Sequence, residues 1–415
     1  MSVQAHGRSH RRGRAGQNRA MSRPGIDLTP ILEDPAFYAG DPFPHYARLR
    51  SEAPMAWHDA HGYWVASRHA EVMEVSRDPA RFCSAKGILS FEIGVDYPTP
   101  PTMMHTDPPD HTRYRTLVSP GFRPSIIKAF EPVVRRRVAD LLDQVAPGDP
   151  IDFTGAVAIP LALRIIADFL GIPDEKADRF FDWSEASIPG ANDWSDEYRA
   201  VLQAEMQAYL LELTLSRRGE RGADITSVLA NSVVDGEGLR DDEIVMFQNQ
   251  LLVAGNETTR NTMSAGVWEL ANRPDEWARL RAHPELTPTA VEEFLRWATA
   301  VIAFMRTATA DTDLGGVTVA AGEPVVMLYA SANRDESVFG PTAATFDLGR
   351  DPNPHVAFGF GHHFCIGAAL ARLEIRALLE EMVVRYTTIE PAGDLVRTSS
   401  AIIAGVVSTP VRLIA

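Results

Sequence analysis

The stretch Phe358-Gly359-Phe360-Gly361-His362-His363-Phe364-Cys365-Ile366-Gly367-Ala368-Ala369-Leu370-Ala371-Arg372 decides the reading of this chain. Glycines at 359, 361 and 367 let the backbone turn tightly and approach something flat and bulky. Cys365 stands immediately before a helical pattern over 366–385. Free N–H groups and the positive dipole end at a helix N-terminus stabilise a thiolate. Taken alone, the same residue also reads as a buried free cysteine at a helix start. Cys83 is the one other cysteine. Two cysteines build neither a disulfide framework nor a four-thiolate zinc or iron–sulfur site, so a single thiolate ligand or an inert thiol remains.

At every fixed position the stretch is similar to the haem-binding signature of the cytochrome P-450 superfamily. That signature reads Phe-Gly-x-Gly-x-His/Arg-x-Cys-x-Gly, with Leu-Ala-Arg following in bacterial members. The resemblance implies haem b with Cys365 as axial ligand of the iron. It implies that Phe358, Gly359 and Gly367 pack beside the thiolate and the haem, and that His363 bonds a haem propionate. A thiolate ligand of this kind favours O–O cleavage.

Upstream, Glu293 and Arg296 stand three apart and share a helix face. Blandly they are a surface ion pair of little worth. In the family, Glu-x-x-Arg is a buried pair joined by an Arg from the loop before the haem segment, here Arg350 in Phe346-Asp347-Leu348-Gly349-Arg350-Asp351-Pro352. Leu348 stands where relatives often have Pro. The resemblance makes this trio a structural tie for the cysteine loop.

The segment Ala254-Gly255-Asn256-Glu257-Thr258-Thr259 lies inside a long helical pattern over 241–272, flanked by Leu251-Leu252-Val253. Gly and consecutive polar residues weaken a helix, and Thr can bond back to a carbonyl and open it. The resemblance places Ala254 against the haem and makes Glu257 and Thr258 the acid–alcohol pair that delivers protons to dioxygen. Heterolysis of O–O consumes two protons, so positioned donors are a physical need. Asp107-Pro108-Pro109-Asp110-His111-Thr112-Arg113-Tyr114-Arg115 resembles a further haem-contacting helix start. His111 and Arg115 share a face there. With Arg306 they match residues that hold propionates, for which the bidentate fork of Arg is suited.

The rest of the chain gives helical patterns over 67–76, 111–118, 125–145, 159–170, 174–187, 195–217 and 289–297, with short strands near 57–66, 318–319, 325–328 and the end. Many helices with few strands give a mainly α class with a small β part. The expected fold is that of the cytochrome P-450 superfamily, a single large domain over 24–415 with a long central helix over the haem. The segment 1–23, rich in Arg, His, Gly and Ser, has no apolar core and reads as a disordered basic tail, with Met21 an alternative start. Asp241 is the expected cap of the long helix, since Arg240 precedes it.

A net charge of −15 argues against nucleic acid as a partner. No apolar run is long enough to span a membrane. The expected protein is a cytoplasmic monomer. The resemblance implies a monooxygenase that hydroxylates or epoxidises a lipophilic small molecule, terpenoid, steroid or fatty-acyl, using O2 and electrons from a ferredoxin and its reductase. The alternatives are a natural-product tailoring oxidase of the same family, a peroxide-driven peroxygenase, and a haem protein without turnover. Arg113 and Arg123 are the expected basic face for the ferredoxin. The substrate pocket is expected from the 84–109 loop, with Phe91, Ile93, Val95, Tyr97 and Met103, and from Gln250, Val253 and Ala254. Val301, Ile302, Ala303 and Phe304, with Ile402 and Ile403, are expected to complete it. Alternation points Glu92 and Asp96 to solvent.

Overall fold

A computed structural model describes residues 35–95, 102–187, 194–220 and 222–415. The expected tail, Asp96 and Tyr97 lie outside the described residues. The molecule is mostly helical with small sheets. Among the described residues no helix is long and apolar enough to cross a membrane.

The central helix, Asp241–Ala271, has 31 residues and spans about 46 Å. The cap differs from the expectation. Arg240 takes the extended capping conformation, and the Glu243 carboxylate accepts from Arg240 N at 2.9 Å. Asp241 instead pairs with Arg218. The helix is wrapped by Ile159–Leu170, Asp196–Arg217 and Thr287–Ala298. Helix Ile159–Leu170 buries eight apolar side chains and stops at Gly171, whose φ of 79° a side chain would strain. Close approach to the central helix depends on missing side chains. A Cβ on Gly266 would fall 1.9 Å from the Phe294 ring, and one on Gly255 would fall 2.7 Å from Ile166.

The largest sheet has five strands, in the order Met55–His58, Tyr63–Ala66, Pro324–Leu328, Ala303–Ala308, Phe82–Cys83. Val325–Met327 pair in parallel with Trp64–Ala66; the other neighbours run antiparallel. This sheet carries Arg306 on one of its inner strands. A three-stranded sheet and a two-stranded ribbon gather the C-terminal strands, and the bridge Val301↔Ile403 ties the C-terminal turn to the segment before Ala303. Helix Ala368–Arg385 follows the cysteine loop and packs on Pro124–Leu142, on Thr287–Ala298 and on the central helix.

Candidate active site

The cysteine loop is folded on itself. Cys365 N donates to Phe358 O at 2.9 Å, Gly359 N to Val356 O at 2.9 Å and Phe364 N to Gly361 O at 3.1 Å. Gly359 and Gly361 take φ of 66° and 71°, the left-handed region in which a Cβ is strained. At Gly361 a Cβ would also meet Ser76 O at 2.1 Å, so a side chain there would push the loop off helix His69–Arg77. The Cys365 side chain is accessible to solvent, yet it lies deep in the protein mass. It therefore faces an internal opening. Burial pushes its thiol up, against the pull of the Gly367 and Ala368 N–H groups and of Arg115 and Arg372.

His111, Arg115, Arg306 and His363 gather around that opening. The rings of His111 and His363 are 4.2 Å apart, and His363 Nε2 contacts Ser84 Oγ at 3.0 Å. Burial, then Arg115 and His362, push His111 down to about 4. Burial, then Arg306 and His111, push His363 down to about 2. Arg306 and Arg115 are themselves lowered by burial. Neither ring nitrogen of His111 has a hydrogen-bond partner. The nearby acid is Asp107, whose oxygens are taken by Ser84 N at 2.8 Å and Ala85 N at 3.0 Å. Buried cationic donors are costly without an anion. This cluster has the donors for two carboxylates and lacks them, which is what a porphyrin with two propionates would supply. Among the described residues no group of three His, Cys, Asp or Glu could hold a metal. A lone thiolate suits an iron whose other ligands come from a macrocycle. The residues present fit a haem.

Behind the loop, Glu293 and Arg296 are fully buried, at 0% exposure. Glu293 accepts from Arg296 Nη2 at 2.6 Å and Nε at 2.8 Å, Arg350 Nε at 3.2 Å, Asp347 N at 2.9 Å and Asn353 Nδ2 at 3.1 Å. The expected trio is thus formed. Leu348 donates its N–H to Glu276 at 3.0 Å, a bond that Pro could not make. Sequence reasoning missed the neighbouring Glu292. Its carboxylate holds Arg372 at 2.6 and 2.8 Å and His355 at 3.0 Å, and Arg372 lies over the Phe358 ring at 4.6 Å.

On the central helix, Thr258 Oγ1 donates to Ala254 O at 2.6 Å, the back-bond that loosens a helix. Ala254 is exposed and lines a cavity of about 800 Å³, which also takes Gln250 and Val253. Burial pushes the Glu257 carboxyl up; Arg260 lowers it and Glu185 raises it. Arg260 stands between these two acids, 3.9 Å from Glu257 and 3.4 Å from Glu185. No hydrogen bond or ion pair joins Ala254, Glu257 or Thr258 to the cysteine group among the described residues. The central helix and the helix that follows Cys365 pack on each other.

Other expectations are corrected. Glu92 is buried, at 5% exposure, and pairs with His105, at 7%. The loop there is a tight turn rather than a strand, so alternation does not apply. Met103 is packed in the core, while its neighbours Thr102 and Met104 line the cavity. Ile302 is likewise core, and Phe91 is exposed. Arg113 is spent on Glu243 at 3.0 Å and Glu237 at 3.3 Å, so it offers no free charge to a docking partner. Arg123 is exposed. The cavity wall on helix Asp196–Arg217 was not expected.

The family model described as Cytochrome P450 matches residues 196–413. A putative cytochrome P450 126 of Mycobacterium tuberculosis is 40% identical over 395 residues, 89% of this chain and 93% of that protein. Linalool 8-monooxygenase of Pseudomonas putida is 35% identical over 404 residues, 93% of this chain and 99% of that one. The crystal structure of CYP109E1 from Bacillus megaterium in complex with corticosterone superposes with a TM-score of 0.82 at 33% identity, covering 90% of this chain and 99% of that one. Similarity of this extent and coverage has one reading: the chain belongs to the cytochrome P450 family and is a haem-thiolate monooxygenase.

Proposed function

We propose that the protein inserts one oxygen atom of O2 into a C–H or C=C bond of a neutral lipophilic small molecule, with electrons from a ferredoxin and its NAD(P)H-dependent reductase. The observation that carries this reading is the largely apolar cavity that runs along the central helix to Ala254, one turn before Thr258. Relatives support the substrate class: one is named for linalool, a terpenoid, and one was crystallised with corticosterone, a steroid. A fatty-acyl substrate remains within the same chemistry.

Haem b, bound through Cys365, supplies the oxygen chemistry. Arg115 and Arg306, with His111 and His363, would hold it by its carboxylates. Phe358, Gly359 and Gly367 shape the space beside the sulfur; the Cβ position of Gly367 is 3.9 Å from Sγ. Ala254, with only a methyl group on the cavity wall, would leave room for the haem and a substrate. Burial raises the Glu257 carboxyl and so favours its protonated form, although Arg260 pulls the other way. Thr258 Oγ1, which donates to the Ala254 carbonyl at 2.6 Å, is the hydroxyl we assign to receive that proton and pass it on.

The test is reconstitution of the haem-loaded protein with ferredoxin, reductase and NAD(P)H, with oxygen uptake and incorporation of labelled O2 into product as readouts. Ferredoxin-dependent uptake with one labelled atom in the product is expected. Turnover with hydrogen peroxide alone, or none with either, contradicts the proposal.

A further inference from the structure

Two carboxylates and one guanidinium meet beside the turn that carries Thr258. Arg260 follows Glu257 by three positions on the central helix, a spacing at which the two side chains can pair directly. Yet Arg260 Nη2 comes no closer to Glu257 than 3.9 Å, beyond a hydrogen bond. Arg260 Nη1 donates instead to Glu185 at 3.4 Å, on helix Ala177–Ser187. The Nε of Arg260 has no hydrogen-bond partner.

Helix Ala177–Ser187 is fixed at this place. Ser184 Oγ accepts from Asn256 Nδ2 at 2.9 Å, and both residues are fully buried. That bond lies one position before Glu185 on one helix and one position before Glu257 on the other, so it sets the separation of the two acids. The side chains of Glu185, Glu257 and Arg260 are 13%, 17% and 12% exposed. At that depth charges act on one another more strongly than at the surface.

An arginine keeps its charge throughout the ordinary pH range. With both acids ionised the array has one negative charge in excess, and a single proton cancels it. Glu257, the acid without a hydrogen bond to the guanidinium, is the one left to take that proton. Burial raises its carboxyl, Arg260 lowers it and Glu185 raises it again. Other charged groups on the neighbouring helices turn elsewhere. Arg164 faces Asp174, Asp168 pairs with Arg137, Arg179 with Glu205, and Arg199 donates to the carbonyls of Trp194 and Glu185.

We infer that Glu185 is a positioning residue for proton delivery: by holding Arg260 it keeps the guanidinium off Glu257, so that this carboxyl can take up a proton instead of being locked in an ion pair. The inference deepens the proposed role of Glu257 and Thr258 and rests on it. Without Glu185, Arg260 has one acid left within reach and closes on it. Loss of a like charge and approach of an opposite one both lower the Glu257 carboxyl.

The test uses the haem-loaded full chain and pH-difference infrared spectra, in which a protonated carboxyl has its own C=O stretching band. The band of Glu257 is the one absent from Glu257→Gln. In Glu185→Gln and in Glu185→Ala its titration midpoint is expected to fall by about one pH unit, about a tenfold loss of the protonated form at a pH above the midpoint. Glu185→Asp, which keeps the charge, is expected to titrate close to the wild type. Adding Arg260→Gln to Glu185→Gln should raise the midpoint again, because the guanidinium that had closed on Glu257 is gone. The carbon-monoxide difference spectrum of each variant verifies that the haem pocket is intact. A midpoint that stays or rises without Glu185, one that stays low in the double variant, or no Glu257 band in the wild type overturns the inference alone. Full coupling of NAD(P)H to product in Glu257→Gln overturns the proposed proton path, and the inference with it, whatever the infrared midpoints.

Discussion

Replacing Glu293 by Gln keeps the side chain's size and removes one charge at the most heavily bonded carboxylate near the cysteine loop. In the native protein five donors converge on it, three of them guanidinium N–H groups. Arg296 is fully buried and Arg350 nearly so. Their remaining N–H groups go to carbonyls of Asn333, Ala343, Thr345 and Thr342, which fix the loop that leads into Cys365. The substitution leaves two buried cations without their anion and turns an amide NH2 toward donors. Breaking a buried pair by removing one partner costs about 3–5 kcal/mol, a large share of a total that is about 5–15 kcal/mol. With a urea dependence of about 3 kcal/mol per molar, the unfolding midpoint should fall by about 1 M or more. Unfolding followed in parallel by tryptophan fluorescence and haem absorbance measures this, and the haem signal should be lost no later than the fold. The exposed Arg48–Glu52 pair is the internal comparison; Glu52→Gln should leave the midpoint where it is. A loss below about 1 kcal/mol for Glu293→Gln would place the pair with surface ion pairs and refute its role as the tie behind the loop.

Glu292 is held down to about 2; burial raises it, but the hydrogen bonds and charges of Arg372 and His355 outweigh that. A carboxyl lowered in the folded state contributes stability above its unfolded value of about 4.3 and loses it as pH falls from there toward 2. Glu292→Gln should therefore flatten acid destabilisation in that window by roughly 3 kcal/mol at most, and an unchanged acid-unfolding curve would count against the Arg372 clamp. Glu92 accepts from Ile88 N, Leu89 N and His105 Nε2, and His105 Nδ1 reaches Thr102 on the cavity wall. Glu92→Gln should weaken substrate binding by about tenfold, the worth of a charged hydrogen bond, with the carbon-monoxide spectrum unaltered; equal affinity in spin-shift titrations would show that the pair does not shape the cavity. Thr258→Ala should bind haem and substrate normally while product per NAD(P)H falls at least about tenfold, with peroxide making up the difference. Unchanged coupling would remove Thr258 from the proton path.

What was legible in the sequence was local or fixed in spacing. The cysteine loop, Glu293 with Arg296, and the turn at Thr258 each depend on neighbours within a few residues, so their chemistry survives without knowledge of the fold. The central helix was bounded to within a residue because acidic residues open it and Pro274 follows its end. The helix beyond it, Pro274–Ala282, was not among the expected ones. Pro274 begins the next helix, as Pro44 helps to begin Phe43–Glu52, since the first turn has no use for the missing N–H. The contacts that were missed join distant segments. Glu92 meets His105 around a loop, Arg260 meets Glu185 on another helix, and Gln207 shares a cavity with Asn249. No periodicity encodes such meetings. Arg113 looked like a free surface charge because its partners Glu237 and Glu243 lie more than a hundred residues away.

The central claim is that Cys365 is the thiolate that binds haem iron. The most direct measurement is the carbon-monoxide difference spectrum of the reduced protein, compared with that of Cys365→Ala. The wild type should show the red-shifted band that gives the family its name, and the variant should lose it entirely, because Cys83 is a half-buried strand residue paired with Thr307 and offers no substitute. Retention of the red-shifted band by Cys365→Ala would contradict the account.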